Sequence, residues 1–121
     1  MKRNNHNLLT WQKAFVLVKD IYKVTESFPR HELFALTAQM RRAAVSVPSN
    51  IAEGAARTSN REFLNYLSIA RGSLSELETQ ILISKELGYI QEQNMLIEEI
   101  DNIFGLINGL MLFLKQKVSN L

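Results

Sequence analysis

The stretch QMRRAAVSVPSNIAEGAAR, residues 39–57, reads as an α-helix with a proline inside it. Proline has no N–H to donate and its ring collides with the carbonyl four residues back, which costs a helix interior about 3 kcal/mol. The segment is therefore either two helices meeting at Pro48 or one helix bent there. Hydrophobic register separates the two readings. Leu36, Met40, Ala44, Val47, Ile51 and Ala55 share one face only if the helical period runs straight through the proline. Val47 has no side-chain acceptor with which to cap a new helix, and Ser46 has no acidic partner three residues on. One helix over residues 32–57, kinked at Pro48, is the expectation.

Three more segments show the same periodicity. Over 10–27, Trp11, Phe15, Val18, Tyr22 and Thr25 form a seam, with Ala14, Leu17, Ile21 and Val24 alongside. Thr10 is the expected N-cap, and Pro29 forces Phe28 out of helical geometry. Over 60–87 the seam is Phe63, Leu67, Ala70, Leu74, Leu77, Ile81 and Ser84. Ser59 and Glu62 make a capping box at its start, and Gly88 a glycine cap at its end. Over 92–118 the seam is Leu96, Ile100, Ile103, Ile107, Leu110 and Leu114. Four long helices with short connections and no strand pattern predict an all-α, up-down-up-down four-helix bundle, one domain over 1–121.

The totals limit the chemistry. A chain of 121 residues is long enough for one continuous core. It has no cysteine, which excludes disulfides, thiolate zinc sites and a cysteine nucleophile. The longest apolar-rich run, 104–114, is too short for a bilayer and is interrupted by Asn108. No apolar run follows the basic start MKRNNHN, so neither a signal peptide nor a membrane contact is expected and a cytoplasmic location is. The net charge of +2 is uneven: residues 1–30 hold six Lys/Arg and two Asp/Glu, whereas 74–121 hold three and seven. Such asymmetry suits a polyanionic partner or complementary self-association.

On a helical wheel the second helix gathers Gln39, Arg42, Ser46, Ser49, Asn50, Glu53 and Arg57 opposite its apolar seam. Short hydrogen-bonding groups and arginines suit a surface that meets something. Arg42 and Arg57, with Arg61 just across a short loop and the basic N-terminal arm, are the candidate nucleic-acid contacts. Gln39, Ser46, Asn50 and Glu53 are the candidate subunit contacts. On the fourth helix Ile97, Phe104, Met111 and Val118 recur every seven residues beyond the core seam, and this excess apolar arc places Phe104 and Met111 at a homo-oligomer interface. Gly105 and Gly109 read as close helix packing.

Catalytic patterns are weak. His6 and His31 have no helical partner for a metal, and Glu76 and Glu78 face different ways. Gly54 and Gly72 are isolated and form no phosphate loop. No metal, no cofactor and no enzymatic activity are expected. Two classes of function stand: an RNA- or DNA-binding oligomer, and a protein-interaction scaffold whose polar stripe is itself a contact. Aromatic residues among the basic ones would favour single-strand binding, and only Tyr66 qualifies.

WQKA (11–14), FP (28–29), QMRRAAVSVPSNIAEG (39–54), SNREFLNYLSIARGSLSELETQ (59–80) and LGY (87–89) resemble the four-helix bundle proteins encoded by intervening sequences within bacterial 23S ribosomal RNA genes. Members of that family are often labelled ribosomal proteins. The chain is also similar to the accessory protein of diversity-generating retroelements, a pentameric barrel whose basic surface engages nucleic acid and a reverse transcriptase. The resemblance implies a kinked second helix, a homopentamer and no established enzymatic activity. Ala35 and Ala56 stand where the family often has glycine.

Overall fold

The computed structural model describes residues 8–119. Four helices, α1 (Leu9–Thr25), α2 (Leu36–Ala55), α3 (Asn60–Glu86) and α4 (Asn94–Ser119), are joined by short links, the first containing one 3-10 turn at Arg30–Glu32. Among the described residues there is no strand, and the helices pack in the cycle α1–α2–α3–α4–α1 with no diagonal pair. Short connections then make neighbours antiparallel, the expected up-down-up-down bundle.

The core is filled where the seams meet. Leu17, Ile21, Met40, Val47, Ile51, Leu67, Leu74, Leu77, Ile81, Ile100 and Ile107 have no exposed surface. Each such side chain contributes about 1.5–3 kcal/mol relative to its exposed state. α2 runs uninterrupted through Pro48, which is buried, and Met40 and Ala44 before it lie on the same buried face as Ile51 after it. The hydrogen bond forgone is the one to the Ala44 carbonyl, and burial on that face outweighs it.

α1 is rotated from the expected orientation. Ala14, Leu17, Ile21 and Thr25 face the core, while Phe15 and Tyr22 are 50% and 42% exposed. The helix has two adjacent apolar stripes of equal period, and the one with the smaller residues lets α1 approach its neighbours. Thr10 is likewise not the N-cap: Leu8 holds that position in extended geometry, and Thr10 is buried within the first turn.

The helix ends follow their local chemistry. α1 stops at Thr25, whose Oγ1 donates to the Ile21 carbonyl at 2.7 Å. α2 begins at Leu36 rather than at Glu32, because the backbone of Ala35 (φ −119°, ψ −107°) leaves the helical region. Glu32 instead accepts from the Leu36 N–H at 3.4 Å and from the Tyr89 hydroxyl at 2.8 Å. That second bond ties the α1–α2 link to the α3–α4 link and, with desolvation, raises the Tyr89 phenol above its ordinary range. At the start of α3, Ser59 Oγ accepts from the Glu62 N–H at 3.2 Å and donates to the Glu62 carboxylate at 3.1 Å, so the return bond goes to the hydroxyl. Gly88, at φ +81°, ends α3 with the paired bonds of a Schellman motif, Gly88 N–H to Lys85 O at 3.0 Å and Tyr89 N–H to Ser84 O at 2.9 Å.

α2 and α3 approach closely at Gly54, where a methyl group would sit 2.7 Å from Tyr66 Cβ. A methyl group added at Gly105 or Gly109, by contrast, would meet nothing within 4 Å, so these two are not close-packing residues within this subunit.

Candidate nucleic-acid interface

Antiparallel packing sorts the charges by end. The N-terminus of α1, the C-terminus of α2, the N-terminus of α3 and the C-terminus of α4 share one end of the bundle. Thr58, Ser59, Asn60 and Arg61 line a common hollow there with Val118 of α4. Arg57, Arg61, Lys115 and Lys117 are all exposed at this end, against Glu53 and Glu62. The acidic residues of α4, among them Glu98, Glu99 and Asp101, lie in its first half, toward the other end. The last turns of α4 therefore add two lysines to the basic end.

Arg57 and Arg61 come together as the sequence suggested, but their surroundings differ. Arg57 Nη2 donates to Glu53 Oε1 at 3.0 Å and to the Tyr66 hydroxyl at 2.6 Å, and its guanidinium lies 4.9 Å from the Tyr66 ring centroid. The Tyr66 hydroxyl in turn donates to Glu53 at 3.3 Å. The Glu53 hydrogen bond, followed by Tyr66, raises the Arg57 pKa above its ordinary value, so it stays charged. The cost is that the guanidinium covers a face of Tyr66, and Lys117 likewise lies 4.8 Å from the ring centroid of the half-exposed Phe113, so both rings that single-strand stacking would use here already carry a cation. Glu53, expected at a subunit contact, is exposed and takes part in this network.

Arg42 does not join this end. It lies fifteen residues before Arg57 on α2, about 22 Å away along the axis at 1.5 Å per residue. It borders a small polar hollow of about 170 Å³ with Gln39, Ser46, Ser73 and Glu76. Ser46 and Asn50, expected on an outward stripe, are half-buried against α3: Ser46 Oγ and Ser73 Oγ are 2.8 Å apart, and Asn50 Nδ2 donates to Ser46 O at 2.8 Å and Ser46 Oγ at 2.9 Å. The middle of the stripe is thus an internal polar seam. A wheel that gives α2 one neighbour cannot show this, since α2 packs on both α1 and α3.

The helix-4 arc is also largely internal. Met111, expected at an interface, is in this chain's own core at 5% exposure, and Phe104 is half-buried against it. Among the described residues no group of three His, Cys, Asp or Glu side chains is placed to hold a metal. No helix is long and apolar enough to cross a membrane. The N-terminal arm, residues 1–7, lies outside the described residues.

One titratable group stands apart from the basic end. Glu99 sits between α1 and α4, with Oε2 sealed from solvent and without a hydrogen-bond partner. Burial, then the neighbouring Asp20 carboxyl, push its carboxyl up to about 7, opposed by Lys13. Lys23 and Glu92 line the same hollow. A folded-state pKa above the unfolded value means that the stabilisation is full below the unfolded pKa of about 4.3 and is lost as pH rises through about 7. Glu99→Gln replaces the proton with an amide donor. Its melting temperature is expected to change less than that of the wild type between about pH 5 and about pH 8. An equal fall in both proteins would show that Glu99 does not set the pH dependence.

Comparison with known proteins fits this architecture. A search of curated proteins found no match. The family model described as 23S rRNA-intervening sequence protein matches residues 6–109, from before α1 to well into α4. With that match spanning most of the bundle, the chain belongs to the 23S rRNA-intervening sequence protein family.

Proposed function

We propose that this chain is a homo-oligomeric binding protein, not an enzyme, that holds structured RNA through the basic end of its bundle. The observation that supports this most is the gathering of Arg57 from the α2–α3 link, Arg61 from α3 and Lys115 and Lys117 from α4 at one end, while the acids of α4 lie toward the other. Such a surface neutralises phosphates without reading bases, so duplex and folded RNA should bind with little sequence preference. The family's tie to ribosomal RNA genes makes RNA the first ligand to test. Repetition of the basic end around a closed oligomer, of which a pentamer is the favoured size, would turn four charges into a belt.

The test is titration of the protein against labelled duplex RNA, hairpin RNA, single-stranded RNA and duplex DNA at low salt. Structured RNA of unrelated sequences should bind alike, and single strands no better, given the arginine on Tyr66. No binding by any of the four would refute the RNA reading and leave the protein-interaction scaffold.

A further inference from the structure

The link that enters α2 carries the most exposed aromatic side chain among the described residues. Ala35 lies outside helical geometry, so Phe34 precedes the first turn of α2, and there it is 93% exposed. Leu33 and Tyr22 beside it are exposed too. With Ala38, Arg41 and Val45 of α2, and Arg42 at the edge, they line a hollow of about 530 Å³ between α1, the link and α2. One exposed apolar side chain is ordinary. A concave group of them that includes tyrosine, phenylalanine and arginine has the composition found at the centre of binding surfaces.

The charges around the hollow say what fits it. Its lining holds Arg41 and Arg42 and no Asp or Glu. Among the described residues neither arginine has a carboxylate within ion-pair distance. Arg41 Nε donates to Thr25 Oγ1 at 2.9 Å, which holds its guanidinium 4.6 Å from the Tyr22 ring centroid. Residues 19–45, which surround the hollow, contain five Lys/Arg and three Asp/Glu. Two of those acids are engaged elsewhere: Asp20 lines the α1–α4 hollow with Glu99, and Glu32 accepts from Tyr89. Glu26 is exposed one turn after Tyr22, and Glu76 of α3 shares the small polar hollow beyond Arg42. The excess is therefore basic, and it lies on the α2 wall.

A nucleic-acid strand would need open aromatic faces, and the Tyr22 ring already carries a guanidinium, which leaves only Phe34 here. The same face of a second copy would set arginine against arginine. A protein segment suits the walls better. Leu33, Ala38 and Val45 offer methyl surface to an apolar side chain, and a carboxylate next to that side chain would meet the arginines. We propose that this hollow is the docking site for an acidic segment of a different protein, with one apolar side chain seated against Leu33, Phe34 and Val45 and its Asp or Glu carboxylates on Arg41 and Arg42. The site is distinct from the basic end and does not depend on the RNA reading.

The probe is a displayed library of random linear peptides selected on the full chain. Enriched peptides are then synthesised with a fluorescent label and titrated by anisotropy into wild type, Phe34→Ala and Arg42→Glu, with circular dichroism confirming the helices. The selected sequences should share a Leu, Met or aromatic residue flanked by Asp or Glu. Each variant should weaken their binding by roughly tenfold or more. Peptides whose acids are exchanged for Lys should bind Arg42→Glu better than wild type, which misfolding cannot produce. Light scattering on size exclusion should give one mass for all three proteins. No enrichment, enrichment of basic or uncharged peptides, or binding indifferent to Phe34→Ala would overturn the proposal. A mass that falls in Phe34→Ala would overturn it as well, by assigning the face to a second copy of the chain.

Discussion

Replacing Arg61, Lys115 and Lys117 together by alanine is expected to remove most of the RNA affinity at low salt while leaving the fold intact. All three side chains are exposed on the basic end and lie outside the core. Removing each phosphate contact should lower the salt slope by about one. With a slope of about 0.9 per contact, a fourfold rise in salt weakens binding roughly 3.5-fold per contact, so three contacts account for roughly 40-fold per subunit. Arg57→Ala should do less, because that guanidinium is already engaged by Glu53 and Tyr66. Equilibrium binding of one duplex RNA to wild type, triple variant and Arg57→Ala checks this. A triple variant that binds as tightly as wild type would place the RNA contact elsewhere.

The largest stability effect of a single methyl group is expected at Gly54. A Cβ there would lie 2.7 Å from Tyr66 Cβ, 2.9 Å from Phe63 Cδ1 and 3.3 Å from the Phe63 carbonyl oxygen. None of these is the far end of a flexible chain, so α2 and α3 must move apart. Overpacking of this kind costs about 1–3 kcal/mol, and the helix preference for alanine returns at most about 1 kcal/mol. Gly54→Ala should therefore lose roughly 1–2 kcal/mol. Gly105→Ala and Gly109→Ala meet nothing within 4 Å and should each gain about 0.5–1 kcal/mol. Urea denaturation of the three variants gives the comparison, and a stabilised Gly54→Ala would contradict the close approach of α2 and α3.

Much of the bundle was legible because its signals are local. The α3 seam from Leu67 to Ser84 is buried throughout, and Gly88 takes the left-handed conformation that its position required. The continuity of α2 was legible because Met40, Ala44, Val47 and Ile51 keep register across Pro48. What stayed hidden depends on neighbours. α1 has two stripes of the same period, and nothing within the helix says that Phe15 and Tyr22 are the outer one. Ser46 looked like surface because its partner, Ser73, comes from α3, and Asn50 bonds in turn to Ser46.

The basic end was half legible. Arg57 and Arg61 are four residues apart and sit at one turn, whereas a helical wheel groups Arg42 with them by face without regard to its distance along the axis. Lys115 and Lys117 were concealed by the acidic total of the C-terminal segment. The missing signal was their order: every acid of residues 74–121 falls at or before Asp101, and both of these lysines follow it. Combined with alternating helix direction, that order alone would have put the lysines beside Arg61.

The most direct test of the RNA-binding account is the dissociation constant of the wild-type oligomer for one duplex RNA, measured across a salt series. The account predicts a straight line of log affinity against log salt with a steep negative slope, and a slope flatter by about three for the Arg61, Lys115 and Lys117 variant. A slope near zero, or an identical slope in the variant, would contradict it.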